Sequence, residues 1–205
     1  MRGFRAASIT VSLHLAFVCG VVAQEHHSLQ RECEGLLTAT LPELTKYLDG
    51  VIPDEKNGDC VTWAIQRMGD ERYDPAIAVL ARLLDFRRPP TSREKQGIYL
   101  RMQTVWEMYP AASALDLIGK QALPAVLRVI EEDLSSSTAR ENAVAVWMDI
   151  YKYQKPEGIA LLKQRETEAS NEMVKRRLRW AISKAQDWCS PPEKGQCRAA
   201  ADPKK

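Results

Sequence analysis

The sequence predicts an all-α protein built as a short α-solenoid, in which antiparallel helix pairs stack on one another. Three observations carry this prediction. Apolar residues recur at intervals of three and four along most of the chain, and no segment sustains the apolar–polar alternation of a strand. The stretch from Tyr109 to Asp133 reads as two helices folded back on each other at Gly119. Such a pair cannot bury both of its apolar faces alone, so it implies stacked neighbours. Trp63, Trp106, Trp147 and Trp180 recur at spacings of 43, 41 and 33, and similar runs open on proline at Pro75, Pro124 and Pro156.

The elements follow in order. Helices are predicted over 28–38 and over 41–48, the second opened by Thr40 with Glu43 three residues on, a capping-box pattern. A helix over 59–68 ends near Gly69, and one over 75–86 starts at Pro75, where a missing N–H costs little. Thr91 with Glu94 opens a long helix over 92–108, whose apolar row is Ile98, Met102, Val105 and Tyr109; it reads as an addition between two repeat units. The pair at Gly119 occupies 111–118 and 121–133, with Leu123, Val126, Leu127, Ile130 and Leu134 lining the second helix. Thr138 with Glu141 opens a helix over 139–152, on which Ala143, Val146 or Trp147, and Ile150 share a face. Helices over 157–169 and 172–188 complete the series, the last with Val174, Leu178, Ala181, Ile182 and Ala185 as its stripe. Between them, 49–58, 87–91 and 134–137 are loops, and Arg88-Pro89-Pro90 is stiff and extended.

The N-terminus predicts export. Arg2 and Arg5 precede an apolar run from Ala6 to Val22, and Val21-Val22-Ala23 fits a small-residue cleavage site, so residues 1–23 read as a signal peptide. An uncleaved anchor is the poorer reading, because the run is short and His14 and two serines interrupt it. A lipoprotein site at Cys19 is disfavoured by the bulk of Val18 before it. Residues 24–198 then form one helical domain with no membrane span, and 199–205 a disordered tail. Loss of Arg2 and Arg5 leaves 27 of 29 basic residues against 27 acidic ones, a neutral balance that favours neither nucleic acid nor an anionic membrane. Four cysteines remain, Cys33, Cys60, Cys189 and Cys197, and an even number in an exported chain points to disulfides. Of three possible pairings, Cys33–Cys60 with Cys189–Cys197 closes two short local loops.

Ala114-Leu115, Ile118-Gly119 and the run from Ala122 to Leu127 resemble a HEAT repeat or its short HEAT-like variant. That family joins a first helix ending in Ile-Gly to a second opening on Ala-Leu-Pro. The resemblance spans about 24 residues of one unit, and the units around Trp63 and Trp147 are degenerate. It implies an α-solenoid with a binding surface and no catalytic residues.

The chemistry of the chain agrees with a binding role. Its three histidines are His14, in the signal peptide, and His26 and His27, in the N-terminal arm, which removes Ser-His-Asp and Cys-His arrangements and most catalytic zinc sites. Gln24-Glu25-His26 could hold copper or nickel if the new N-terminus kept its amine, but an N-terminal glutamine cyclises readily. Glycines are scattered singly, so there is no phosphate loop. The acid clusters Glu131-Glu132-Asp133 and Asp70-Glu71 read as solvated rims, and Lys175, Arg176, Arg177 and Arg179 as a helix face paired with Glu166, Glu168 and Glu172. The tryptophans read as core. The expectation is an exported, non-enzymatic protein-interaction module with no cofactor and no metal, whose inner helices present a face to a protein partner. The alternatives are a structural or accessory subunit of the cell envelope, and a hydrolase using two facing acids in a deep cleft.

Overall fold

The computed structural model describes residues 33–98 and 103–188. The predicted signal peptide, the three histidines, Cys189, Cys197, the predicted tail and the start of the helix predicted over 28–38 lie outside the described residues. Those described are helical, with no strand among them. Helices α1 (Glu34–Leu37), α2 (Leu41–Gly50), α3 (Gly58–Asp70), α4 (Ile77–Arg82), α5 (Ser92–Lys95), α6 (Val105–Met108), α7 (Pro110–Ile118), α8 (Leu123–Glu131), α9 (Ser137–Ile150), α10 (Lys155–Glu168) and α11 (Glu172–Gln186) follow in order. Turns of 3-10 helix at Asp74–Ala76 and Gly119–Ala122 lead into α4 and α8. No helix among the described residues is long and apolar enough to cross a membrane.

Local chemistry sets most boundaries. The Glu43 carboxylate accepts from the N–H and the hydroxyl of Thr40, at 2.7 Å each, and so opens α2. Gly119 takes φ +85 and ends α7, a backbone state that a side chain would resist. The single helix predicted over 92–108 is a misreading: α5 and α6 are separate single turns. Gly97 adopts φ +74 after α5, and Thr104 with Glu107 starts α6 with a capping box of its own. Tyr109 then leaves helical geometry, as a residue before proline prefers, and Pro110 starts α7. Ile98, Met102, Val105 and Tyr109 keep helical spacing, but start and stop signals outrank it.

Two smaller predictions are corrected as well, and a third is refined. Helix α9 is capped by Ser136, whose hydroxyl accepts from the Ala139 N–H at 3.0 Å, and not by Thr138 and Glu141. Leu134 lies beyond α8 and is wholly exposed rather than part of its stripe. Gly69 falls in the last turn of α3, beside its final residue Asp70, but without a positive φ and in a packing role: a Cβ there would sit 2.7 Å from the Ala114 Cα. That glycine lets α3 and α7 approach backbone to backbone.

One continuous apolar cluster runs through the described residues. Its centre is α7 and α9. Helix α7 buries Pro110, Ala111, Ala112, Ala114, Leu115 and Ile118, and packs on α3, α4, α6 and α9. Small residues allow this crowding. In α9, every residue from Asn142 to Asp149 is buried. A helix enclosed on all sides carries no polar stripe, which is why its sequence reads Ala-Val-Ala-Val-Trp-Met without a clear face. Its one buried amide is satisfied: Asn142 Nδ2 donates to the Leu84 carbonyl at 2.7 Å.

The tryptophans divide. Trp147 is 4 % exposed, and its indole N–H donates to the Gly158 carbonyl at 3.0 Å. Gly158 has no side chain because Tyr151 fills that space, at 2.9 Å from where a Cβ would lie. Trp63, Trp106 and Trp180 are half-buried on the edge of the core. Trp63 carries the Arg67 guanidinium at 5.6 Å from its ring, and Trp180 the Lys184 ammonium at 5.9 Å. Only Trp147 fits the expectation of a fully buried indole. At the N-terminal end, a disulfide joins Cys33 to Cys60, tying the start of α1 to the first turn of α3.

Candidate functional site

Three connections meet along one edge of the molecule: 51–57, 83–91 and 132–136. They are sewn together by side chains. Arg82 donates to the carbonyls of Leu48 and Asp49 at 2.9 and 2.8 Å and pairs with the Asp49 carboxylate at 3.2 Å. The Ser136 hydroxyl donates to Asp85 at 2.8 Å. Pro89 packs directly over Gly58, where a Cβ would come within 2.6 Å of its ring.

Between these loops lies a cleft of about 720 Å³. Its apolar surface comes from Pro53, Phe86, Pro89, Pro90 and Met108; Asp54, Glu55, Arg87, Arg88, Glu94 and Lys95 bring charge. A shallower hollow of about 480 Å³ shares Pro53 and Phe86 with it and continues past Ile52 to Asp49 and Arg82, so the two make one furrow.

Both walls hold their shape from within. On one side, Asp54 accepts from the N–H groups of Lys56 and Asn57 at 2.9 Å each, while Asn57 accepts from the Asp54 N–H at 2.8 Å and donates to the Ile52 carbonyl at 3.0 Å. This closed turn is a common use of Asp and Asn in loops. On the other side Arg88 is the anchor. Its guanidinium grips Glu94 through two bonds of 2.8 and 2.7 Å and also donates to the carbonyls of Glu107 and Pro89 at 2.6 and 2.8 Å. Its own N–H donates to the Met108 carbonyl at 3.0 Å. Gln103 donates to Glu94 as well. Arginine suits this place because its planar fork matches a carboxylate in two bonds, which lysine cannot do. The Arg88 bonds, followed by the Thr91 N–H, hold the Glu94 carboxyl down at about 2.

A second feature lies at the far ends of α7 and α9. Asp116 and Asp149 are in hydrogen-bonding contact, with Asp149 9 % exposed. Burial first, and then the Asp149 charge, push the Asp116 carboxyl up to about 6; Lys152, 3.9 Å from Asp149, opposes this. For an acid whose folded value lies above its unfolded one, stability is full below the unfolded value of 3.8 and is lost as pH rises through about 6. Glu94 has the opposite sign, and its contribution fades as pH falls toward 2. The protein should therefore grow more stable from pH ~7.5 to pH ~5. The full shift corresponds to about 3 kcal/mol, and water at the half-buried Asp116 screens it to about 1–2 kcal/mol. Thermal melts across that range check this. Asp116→Asn should flatten the profile by stabilising the neutral end, and an unchanged slope in the variant would refute the assignment.

The residues singled out in the sequence are placed as follows. Glu131 pairs with Arg165 at 2.6 Å and Asp133 with Arg177, so these acids are structural partners. Asp70 and Glu71 are exposed at the end of α3. Of the basic cluster, Lys175 pairs with Glu172 at 2.9 Å, and Arg179 with Glu166 at 3.0 Å and Glu172 at 3.5 Å. Glu168 turns to Arg165 instead, at 3.9 Å. Cys33 and Cys60 are brought together; Cys189 and Cys197 lie outside the described residues. No group of three or more His, Cys, Asp or Glu gathers among the described residues as a metal ion would need. Sequence reasoning missed the furrow and the Asp116–Asp149 contact. The signals present were the stiff Arg88-Pro89-Pro90 segment and the Thr91–Glu94 cap, which place an anchored loop but not what faces it. No protein-family model, no curated protein and no solved structure matches the chain, so what it does is argued from this geometry.

Proposed function

We propose that this chain is an exported, non-enzymatic protein-interaction module that seats a segment of a partner protein in the furrow between its loops. One observation carries the reading: the furrow is preformed. Its walls are fixed by internal hydrogen bonds and by the shielded Arg88–Glu94 pair, while its floor offers Pro53, Phe86 and Met108. A wall already ordered loses little entropy on binding, and a mixed apolar and charged lining suits a protein segment. The helical pairs behind it support a HEAT-like solenoid as the scaffold: α7 turns into α8 about Gly119, and α10 packs on α11. Export is supported by the disulfide between Cys33 and Cys60 and by the signal-like N-terminus. The furrow replaces the inner helix face as the expected docking surface, because α7 and α9 are consumed by the core.

The hydrolase alternative asks for two facing acids in a cleft. Asp116 and Asp149 face each other, but neither lines the furrow, nor the shallower hollows beside α10 and α11. An accessory subunit of the cell envelope would use the same furrow.

Site-specific photo-crosslinking in the source cell tests the proposal. A crosslinker at Ile52, which is 85 % exposed beside the furrow, or at Lys95 should trap one partner protein outside the cytoplasm. The same group at Tyr153, 92 % exposed in the turn between α9 and α10, should not. Equal trapping at Tyr153, or none at Ile52 and Lys95, would overturn it.

A further inference from the structure

The furrow's charges are not all spoken for, and the ones left over define what fits. Arg88 and Glu94 neutralise each other. Asp54 is held in place by the N–H groups of its own turn and keeps its negative charge. Glu55 stands beside it on the 51–57 loop, and Arg87 and Lys95 stand on the segment from α4 to α5; these three are exposed, and none makes an ion pair with a described residue. One loop thus brings acids to the cleft and the other brings two unpaired bases, with Phe86, Pro53 and Met108 as its apolar lining.

Resting on the docking reading above, we propose that the segment bound here presents an apolar side chain flanked by a basic residue on one side and acidic residues on the other. The apolar group enters over Phe86 and Pro53; the basic residue meets Glu55, and the acidic ones meet Arg87 and Lys95. Complementary charge of this kind fixes orientation and speeds encounter more than it adds affinity, and it rejects segments carrying the reverse order. Exposed pairs are screened, so binding should weaken steeply with salt.

A phage-displayed library of random short peptides, panned against the oxidised mature protein, tests this. Enriched peptides should carry Leu, Ile, Phe or Met between Lys or Arg and Asp or Glu. Their affinity should fall roughly tenfold on Arg87→Glu with Lys95→Glu, and should fall again from ~50 to ~500 mM salt. Glu55→Lys should enrich peptides that have lost the basic residue. These positions are exposed, and unchanged circular dichroism and melting would show that the variants fold. Peptides that are enriched but uncharged, or that bind the charge-reversed protein as well as the native one, would overturn this inference and leave the docking reading standing. The same follows if no peptide is enriched while crosslinking at Ile52 still traps a partner. Failure of both experiments overturns both.

Discussion

Replacing Cys33 and Cys60 together by alanine should lower the unfolding free energy by about 3–4 kcal/mol, the chain-entropy value for a loop of the size they close. The two residues are 27 apart in sequence and both are buried, at 2 % and 5 % exposure. Helix α1 has four residues and buries none of them, so its position depends on the bond to α3, on Leu36 and Ala39 against the core, and on Arg67 of α3, which donates to the Ala39 carbonyl at 3.0 Å. For a domain whose total stability is about 5–15 kcal/mol, the loss is a large fraction. Urea unfolding of the double variant measures it. Alanine is preferred to serine because it leaves no new polar group in a buried place. A loss under about 1 kcal/mol would mean that the bond constrains the unfolded chain far less than its loop length implies.

Trp147→Ala should cost about 3–5 kcal/mol, the usual range for a large buried aromatic side chain. The indole stands in the middle of α9, touches Tyr151 at a ring distance of 5.5 Å, and donates to Gly158 across to α10. Trp147→Phe separates the two contributions. It keeps most of the volume and removes the indole donor, while the Gly158 carbonyl keeps its bond inside α10, so the expected loss is about 0.5–1.5 kcal/mol. Trp63→Ala and Trp180→Ala should each cost well under half as much as Trp147→Ala, because those rings lie at the edge. Denaturant midpoints at constant slope would report all four changes. Equal costs at the three positions would restore the expectation of three equivalent buried indoles.

What the sequence made legible was the part governed by neighbours along the chain. Pro110, Gly119 and Pro124 bracket α7 and α8, and Leu178, Ala181, Ile182 and Ala185 mark the buried face of α11, because a helix face and its punctuation are local properties. Periodicity misled where it met competing local chemistry. Ile98 to Tyr109 keep the right spacing, yet Gly97 and the Thr104–Glu107 cap break the helix. The tryptophan recurrence was real in the sequence, but recurrence does not say how far an edge residue turns inward. Gly69 marks the last turn of α3, as the sequence implies; only its meeting with Ala114 in a distant helix shows that it also serves packing. The furrow and the Asp116–Asp149 contact could not be read for the same reason. Glu55 and Lys95, or Asp116 and Asp149, become neighbours only after helices far apart in the chain have packed.

The enclosure of α9 has a consequence for how this protein can change over time. Its central rod tolerates few substitutions, since each buried side chain from Asn142 to Asp149 has neighbours on every side. The furrow loops answer to a different constraint: Glu55, Arg87 and Lys95 hang outside the interior, and their replacement leaves it untouched. Substitution at the furrow can therefore change the charge it displays without costing the fold.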